Sequence, residues 1–357
     1  MSHGYVPVQW NKQKKWYDLA IWAGIIVYIA LFIIISSSLF SGDEALSFEI
    51  LLIRALATCA FLMLTMILSV GPLARLDERF LPLLYNRRHF GVSMCIIALA
   101  HAVLATIWYH GFGVENPFLS IFFIPDIHSL SDIPFQPFGF FALLIILLMA
   151  ATSHDFWNAN LGAPFWKAIH MGVYLAYALL VVHIALGALQ EPNTGFLPPI
   201  LYGSVIIVGG LHLMAAFKSA PMDKGIPFRE WVDIGSWRNI PNDRARVVTI
   251  GKDERVAIFR YEENKLAAVS NVCQHQNGPL GEGKVINGCI TCPWHGFQYR
   301  PEDGRSPAPF TEKIETYRLR LEGDRVLLDP KALPKGTARP VLTIAKDQQN
   351  TREAARG

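Results

Sequence analysis

No stretch of this chain reads Cys-x-x-Cys-His, so covalent c-type haem attachment is excluded. Five scattered cysteines in 357 residues make no disulfide framework. No Gly-x-Gly-x-x-Gly turn is present, which removes the usual dinucleotide site. Charge is scarce: Asp, Glu, Lys and Arg make up 17% of the residues, and a formal net charge of +3 is too small to attract nucleic acid. No nucleophile–base pair or acid–base dyad stands out. Three connections, "SGDEALS", "HGFGVENPFLSIFFIPDIHSLSDIPF" and "QEPNTGFLPP", hold no Lys or Arg at all.

What is abundant is apolar. Hydrophobic residues reach 52%, and the excess lies almost entirely before residue 218. A bilayer core about 30 Å thick needs roughly 20 apolar residues of helix. Six stretches qualify, at about 18–40, 48–70, 90–109, 136–152, 168–189 and 197–217. One such run could be a buried helix of a soluble protein; six in succession predict a membrane bundle. The first is too long, and its flank too poorly matched to a cleavage site, for a removable signal peptide. The basic residues fix the orientation. Lys12, Lys14 and Lys15 precede the first span. Arg75, Arg79, Arg87 and Arg88 fill the second connection, Lys167 the fourth, and Lys218 and Lys224 follow the last span. The positive-inside rule then puts both termini in the cytoplasm of a multi-pass protein of the plasma (bacterial inner) membrane.

Polar side chains within hydrocarbon default to function. His101 sits mid-span in "CIIALAHAVLATIWY", and His170 and His183 bracket the fifth span in "WKAIHMGVYLAYALLVVHIALG". Imidazole is an axial ligand of haem iron, and bundle interiors hold such cofactors. His170 and His183 are about 20 Å apart along an ideal helix, one in each leaflet. His101 and His183 share the outer depth, so a haem between them is the simplest pairing. A second haem near the inner face would join His170 to His89, with Arg87 and Arg88 beside its propionates. Helical phase adds nothing to this, because thirteen residues leave about 140° between side chains. The plainer reading of each histidine is a helix–helix hydrogen bond. His212 is expected to be structural, as are His110, His128 and His154 in connections.

The pattern "RRHFGVSMCIIALAH" followed by "TSHDFWNANLGAPFWKAIHMGVYLAYALLVVH" resembles the ferric reductase-like transmembrane family. Within that family it is most similar to the haem-binding membrane subunit of the periplasmic methionine sulfoxide reductase system. The resemblance covers roughly residues 17–217 and maps the paired arginines and haem ligands onto Arg87, Arg88, His101, His170 and His183. His89 is outside the subunit's pattern, so one or two b-type haems are implied. Quinone and flavin are further candidate cofactors, although no flavin- or nicotinamide-binding domain follows.

After a linker, "SAPMDKGIPF", the composition changes. Short β-branched runs such as "RARVVTIG" and "ERVAIFRYEENKLAAVS" predict an antiparallel sandwich of about a hundred residues. Two loops, "CQHQNGPLGEG" and "CPWHG", give Cys-x-His, then sixteen residues, then Cys-x-x-His. Structural zinc could take two cysteines and two histidines, but such sites pair like with like. Here each loop supplies one of each. That is the requirement of a Rieske [2Fe–2S] centre, with two thiolates on one iron and two imidazoles on the other. The expected ligands are Cys273, His275, Cys292 and His295, while Cys289 reads as packing. Residues 231–330 are similar to a Rieske ferredoxin, with "CPWHGFQY" the specific signature. Unlike Rieske proteins of quinol-oxidising complexes, the first loop has no second cysteine, and Phe297 stands at the serine position. Fewer hydrogen bonds to sulfur imply a lower potential.

The sequence therefore predicts residues 1–16 as a cytoplasmic segment and 17–217 as a six-helix haem-binding domain. Residues 218–229 form a linker, 230–335 an all-β Rieske domain and 336–357 a flexible tail. The expected function is electron transfer across the lipid bilayer. A cytoplasmic NAD(P)H-dependent reductase or ferredoxin would be the donor. The external acceptor would be a ferric chelate, dioxygen or a redox protein. The alternatives are a quinol dehydrogenase feeding a cytoplasmic Rieske-linked enzyme, and a membrane redox sensor. A Rieske oxygenase would need a separate domain for mononuclear iron.

Overall fold

A computed structural model describes residues 12–40, 45–84, 87–123, 132–153, 157, 161, 163–191, 194–223, 230–251, 254–275, 277–294 and 296–345. The chain divides into two compact units. Residues 1–72 and 86–212 form the first, and residues 73–85 and 213–357 the second.

The first unit is helical. Its helices are α1 (Lys12–Leu39), α2 (Phe48–Leu76), α3 (Arg87–His110), the single turn α4 (Pro117–Ser120), α5 (Gln136–Ala151), α6 (Ala163–Leu186) and α7 (Leu197–Asp223). Five of them, α1, α2, α3, α6 and α7, are long and apolar enough to cross a membrane. The stretch expected as a sixth span is the shorter α5, whose 16 residues rise about 24 Å. Helix α2 is the most enclosed, burying Leu56, Phe61, Leu64 and Leu68. Its hydroxyls turn back on their own helix: Thr58 donates to Arg54 O, Thr65 to Phe61 O and Ser69 to Thr65 O. These three hydroxyls of α2 are thereby satisfied locally, as hydrocarbon demands. Ile26, Ile34, Val103, Ile206 and Leu213 point outward as a lipid-facing surface. Helix α5 packs against both α3 and α6.

Among the described residues, the second unit carries the strands β1 (Val232–Ser236), β2 (Arg244–Ile250), β3 (Glu254–Tyr261), β4 (Lys265–Ser270), β5 (Lys284–Ile286), β6 (Cys289–Thr291), β7 (Gln298–Tyr299), β8 (Thr316–Tyr317), β9 (Leu319–Glu322), β10 (Arg325–Leu328) and β11 (Leu342–Thr343). They form three sheets, β1-β10-β9, β11-β4-β3-β2 with β8 also on β4, and β5-β6-β7. The middle sheet has a core on each face. Val256, Ile258, Leu266 and Ala268 enter one core. Their neighbours Ala257, Phe259, Ala267 and Val269 enter the other. Period-two alternation between two buried faces is why "VAIF" and "LAAV" read as continuous apolar runs. The second core also takes up Cys273 and Cys292.

The flexible tail expected from residue 336 needs correction. Residues 336–345 belong to the sheet, because Leu342 and Thr343 pair with Leu266 and Lys265. Arg339 is 7% exposed, and its guanidinium donates to Ala268 O and Pro301 O. Burial pulls that guanidinium down to about 10, so it stays charged at neutral pH. The remainder of the expected tail, 346–357, lies outside the described residues. Replacing Arg339 by Met would remove both of these hydrogen bonds. The expected loss is about 2–4 kcal/mol, read as a lower melting transition of the purified chain by calorimetry.

Candidate cluster site and membrane histidines

The two loops predicted to bind a cluster are closed by the same hydrogen bonds. In the first, Cys273 N–H donates to Gly278 O and Asn277 N–H returns to Cys273 O. In the second, Cys292 N–H donates to Phe297 O and Gly296 N–H returns to Cys292 O. The fourth residue after each cysteine is left-handed, with φ 56° at Asn277 and 72° at Gly296. Asn and Gly are the residues that tolerate that conformation. The second loop is aimed by the hairpin before it. Asn287-Gly288, with φ 51° and 76°, forms the two-residue turn that joins β5 to β6, and β6 runs into Cys292.

The loops meet through a missing methyl group. A Cβ on Gly278 would lie 2.6 Å from Cys292 Sγ and 3.2 Å from the Trp294 ring. Cys273 and Cys292 are each 1% exposed. Tyr299 ties the first loop to the core, for its hydroxyl accepts Gln274 N–H at 2.9 Å and stands 3.4 Å from Cys273 Sγ. Burial and the neighbouring sulfur push that hydroxyl well above its ordinary range. Tyr299 therefore keeps its proton and can donate it to a thiolate. The half-buried His275 ring stacks on Phe297, with centroids 4.9 Å apart and planes at 6°. His295 lies outside the described residues. Two buried sulfurs of different loops, an imidazole beside them and a glycine cradle fit a cluster with one ligand pair per iron. Among the described residues no three His, Cys, Asp or Glu side chains converge as on a single ion. A two-iron centre, with its ligand pairs on separate metals, does not require that.

In the helical unit, His101 and His183 are brought within electrostatic reach of each other. Each spends Nδ1–H on a backbone carbonyl of another segment, His101 on Ile53 O at 3.1 Å and His183 on Phe135 O at 2.9 Å. That fixes the tautomer and leaves the Nε2 lone pair for a metal. His183 is seated against Gly139, where a Cβ would come within 2.7 Å of its ring. His170 donates to Trp166 O, stacks on the Trp166 ring at 3.8 Å, and has Ser153 Oγ 3.4 Å from Nε2. Arg88 is within its electrostatic reach. His89 is held by both Asp18 oxygens, at 2.9 and 3.0 Å. His212 is engaged on both nitrogens, by Val208 O and the Tyr174 hydroxyl. His128 and His154 lie outside the described residues.

Sequence reasoning passed over Asp18 and Arg54. Arg54, a charge within an apolar span, is a signal that could have been read, whereas Asp18, close behind Lys12, Lys14 and Lys15, looks like part of a solvated helix start. Arg54 lines a small pocket with Ser36, Thr194 and Phe196.

Residues 230–318 match the Rieske [2Fe-2S] domain, and residues 54–181 match the ferric reductase like transmembrane component. The chain belongs to the Rieske [2Fe-2S] family through its C-terminal domain, which is fused to a ferric reductase-like transmembrane domain. Over 101 residues it is 30% identical to the ferredoxin component of the naphthalene 1,2-dioxygenase system of Pseudomonas aeruginosa. That match covers 28% of this chain and 95% of the ferredoxin. Over 66 residues it is 39% identical to cholesterol 7-desaturase nvd of Xenopus laevis, spanning 18% of this chain and only 14% of the desaturase. The solved ferredoxin of carbazole 1,9a-dioxygenase from Nocardioides aromaticivorans IC177 is 20% identical, with a TM-score of 0.27. It is covered over 100% of its length, against 29% of this chain. A Rieske domain joined to such a membrane domain makes this a membrane protein with a role in electron transfer.

Two substitutions test the site. Gly278→Ala should lower non-haem iron and acid-labile sulfide ~10-fold or more, measured on anaerobically purified protein. Tyr299→Phe should leave the cluster in place and lower its potential by tens of millivolts in an EPR-monitored titration, on the order of 60 mV for each 1.4 kcal/mol of lost stabilisation.

Proposed function

We propose that this protein carries electrons across the membrane, entering at a cytoplasmic Rieske centre and leaving on the outer side. Cys273, Cys292, His275 and His295 would hold the cluster, which supplies one-electron exchange when bound. His101 and His183 would hold a b-type haem, which supplies a one-electron relay inside the hydrocarbon. The observation that carries this reading is the seating of those two histidines, each locked by a carbonyl of another segment with its second nitrogen left over. His170 is the proposed ligand for a second haem, with Arg88 beside it and His89 the proposed partner.

Several residues then have defined tasks. The apolar core around Phe259, Leu280 and Ile290 keeps water from the two sulfurs. Tyr299 holds a proton against Cys273. Phe297 occupies a place where a hydroxyl would add a further hydrogen bond, and so keeps the potential low. A low potential favours donation toward the haem and outward flow. The donor would be a soluble NAD(P)H-dependent reductase or ferredoxin. The acceptor would be a ferric chelate, dioxygen or an external redox protein. The positive-inside pattern supports a cytoplasmic Rieske domain.

The Asp18–His89 pair favours a second reading, in which quinol is the electron source and flow runs inward. A carboxylate-held imidazole can take up the protons that quinol oxidation releases.

The order of the path is tested at His295. His295→Ala should keep haem absorbance and its reduction by dithionite, yet lose haem reduction by a cytoplasmic reductase in oriented vesicles. Normal enzymatic reduction in that variant would remove the cluster from the path. Loss of both His101 and His183 should remove at least one haem, read by the pyridine haemochrome. Unchanged haem content would end that assignment.

A further inference from the structure

Beside the first cluster loop lies a surface with an apolar centre and a cationic edge. Val272, which precedes Cys273, and Phe310 are each 39% exposed; Ala308 and Pro309, which precede Phe310, and Gly296, which precedes Phe297, are exposed as well. Phe310 meets Phe297 edge-on at 4.9 Å, and Phe297 stacks on His275. The apolar centre is therefore in van der Waals continuity with a proposed cluster ligand. The edge is set by the strap that precedes β11. Lys335 Nζ donates to Gln274 Oε1 at 3.3 Å, directly on the first loop. Gly336 follows, flanked by the Lys313 stem and Arg305, and Arg305 Nε donates to Gly336 O at 2.9 Å. Lys335, Lys313 and Arg305 are all exposed. Two acids lie nearby. Asp303 pairs with Arg300 at 2.6 Å and with Arg305 at 3.8 Å, and Glu312 accepts the Thr311 N–H and keeps its charge, so the cationic character of the edge rests on Lys313 and Lys335. Among the described residues Lys313 and Lys335 make no ion pair.

We infer that this surface docks an acidic protein that carries a single-electron group, with Val272 and Phe310 at the centre of the contact and Lys313, Lys335 and Arg305 steering the approach. The inference rests on the proposed Rieske centre and adds the kind of partner it exchanges electrons with. Charge decides the occupant. The inner connections of this chain are mainly basic, with Arg75, Arg79, Arg87, Arg88 and Lys167 against Asp77, Glu78 and Asp155, so they complement a cationic edge poorly. A separate acidic protein complements it better, and apolar centres with charged rims are the usual build of such contacts.

Stopped-flow reduction of the full chain in phosphatidylcholine nanodiscs tests this, with flavodoxin hydroquinone as the acidic donor and dithionite as the small one. The cluster spectrum is recorded first. Its absence would overturn the Rieske reading and this surface with it. With the cluster present, the flavodoxin rate should fall ~10-fold or more between low and moderate salt, while the dithionite rate changes little. Lys313→Glu with Lys335→Glu should slow flavodoxin at low salt by a similar factor, and Phe310→Ala should slow it at every salt concentration. Arg320→Glu, on β9, should do neither. A salt-independent flavodoxin rate in the unaltered chain overturns the proposal, as does an equal loss from Arg320→Glu. If phosphatidylglycerol nanodiscs abolish the difference between the charge-reversed and unaltered chains, the surface belongs to lipid and the proposal fails.

Discussion

The C-terminal unit depends on one close approach, that of Gly278 to Cys292 Sγ. Two loops from different parts of the chain must place buried sulfurs within a single apolar core, and the backbone of one passes where a methyl group would collide with the sulfur of the other. Each loop can only arrive there in a fixed shape, so each is closed by the same pair of bonds around its cysteine. The strands follow from that demand. β4 delivers the first loop, the Asn287-Gly288 hairpin delivers the second, and β7 carries Tyr299 back beneath both. The middle sheet is buried on both faces because one face builds this core and the other carries the stabilising sandwich.

The membrane unit obeys the same rule in a different solvent. With no water to satisfy polar groups, a histidine in hydrocarbon must commit its N–H to something fixed. All the described intramembrane histidines do so, and what differs is the second nitrogen. In His212 it is taken by the Tyr174 hydroxyl, the mark of a side chain used for helix packing. In His170 a serine hydroxyl stands at the outer limit of a hydrogen bond. In His101 and His183 the partner of Nδ1 is a carbonyl from another segment, which holds the ring at a set angle rather than along its own helix. Gly139 gives the His183 ring its place. This gradation separates proposed ligands from packing residues more sharply than depth in the bilayer does.

Much of this was legible in the sequence, for physical reasons. Spans are read by length and apolarity, which the bilayer imposes directly, so five emerge as long helices. The sixth falls short because Pro137 and the Thr152 cap confine α5 to 16 residues. The two domains were legible because their solvents differ. The strap at 336–345 was not, because a two-residue strand and a buried arginine leave no periodicity in the sequence. Phe297 was read as a missing hydroxyl, and its stacking on His275 and Phe310 depends on a chain reversal that spacing does not encode. Asp18 was missed because a lone carboxylate near a helix start looks like a solvated end until its partner at residue 89 is known.

The proposed outward flow draws its support from the residues around the two proposed sites. The Tyr299 hydroxyl stands at the Cys273 sulfur, and Phe297, at the position read in the sequence as that of a serine, stacks on His275. A phenyl ring donates no hydrogen bond, so in the proposed centre it would not favour added negative charge on the sulfurs as a hydroxyl there would. A histidine-held haem in an apolar bundle faces an opposing pair of influences. Low dielectric penalises added charge, while cations at the inner end, Arg88 within reach of His170 among them, relieve that penalty locally. In the proposed arrangement, the basic residues taken to orient the chain would also make its inner end the easier place for an electron to arrive. Charge placement that answers to membrane insertion would then bias the redox path in the same sense as the aromatic ring at Phe297, far along the chain from the last span.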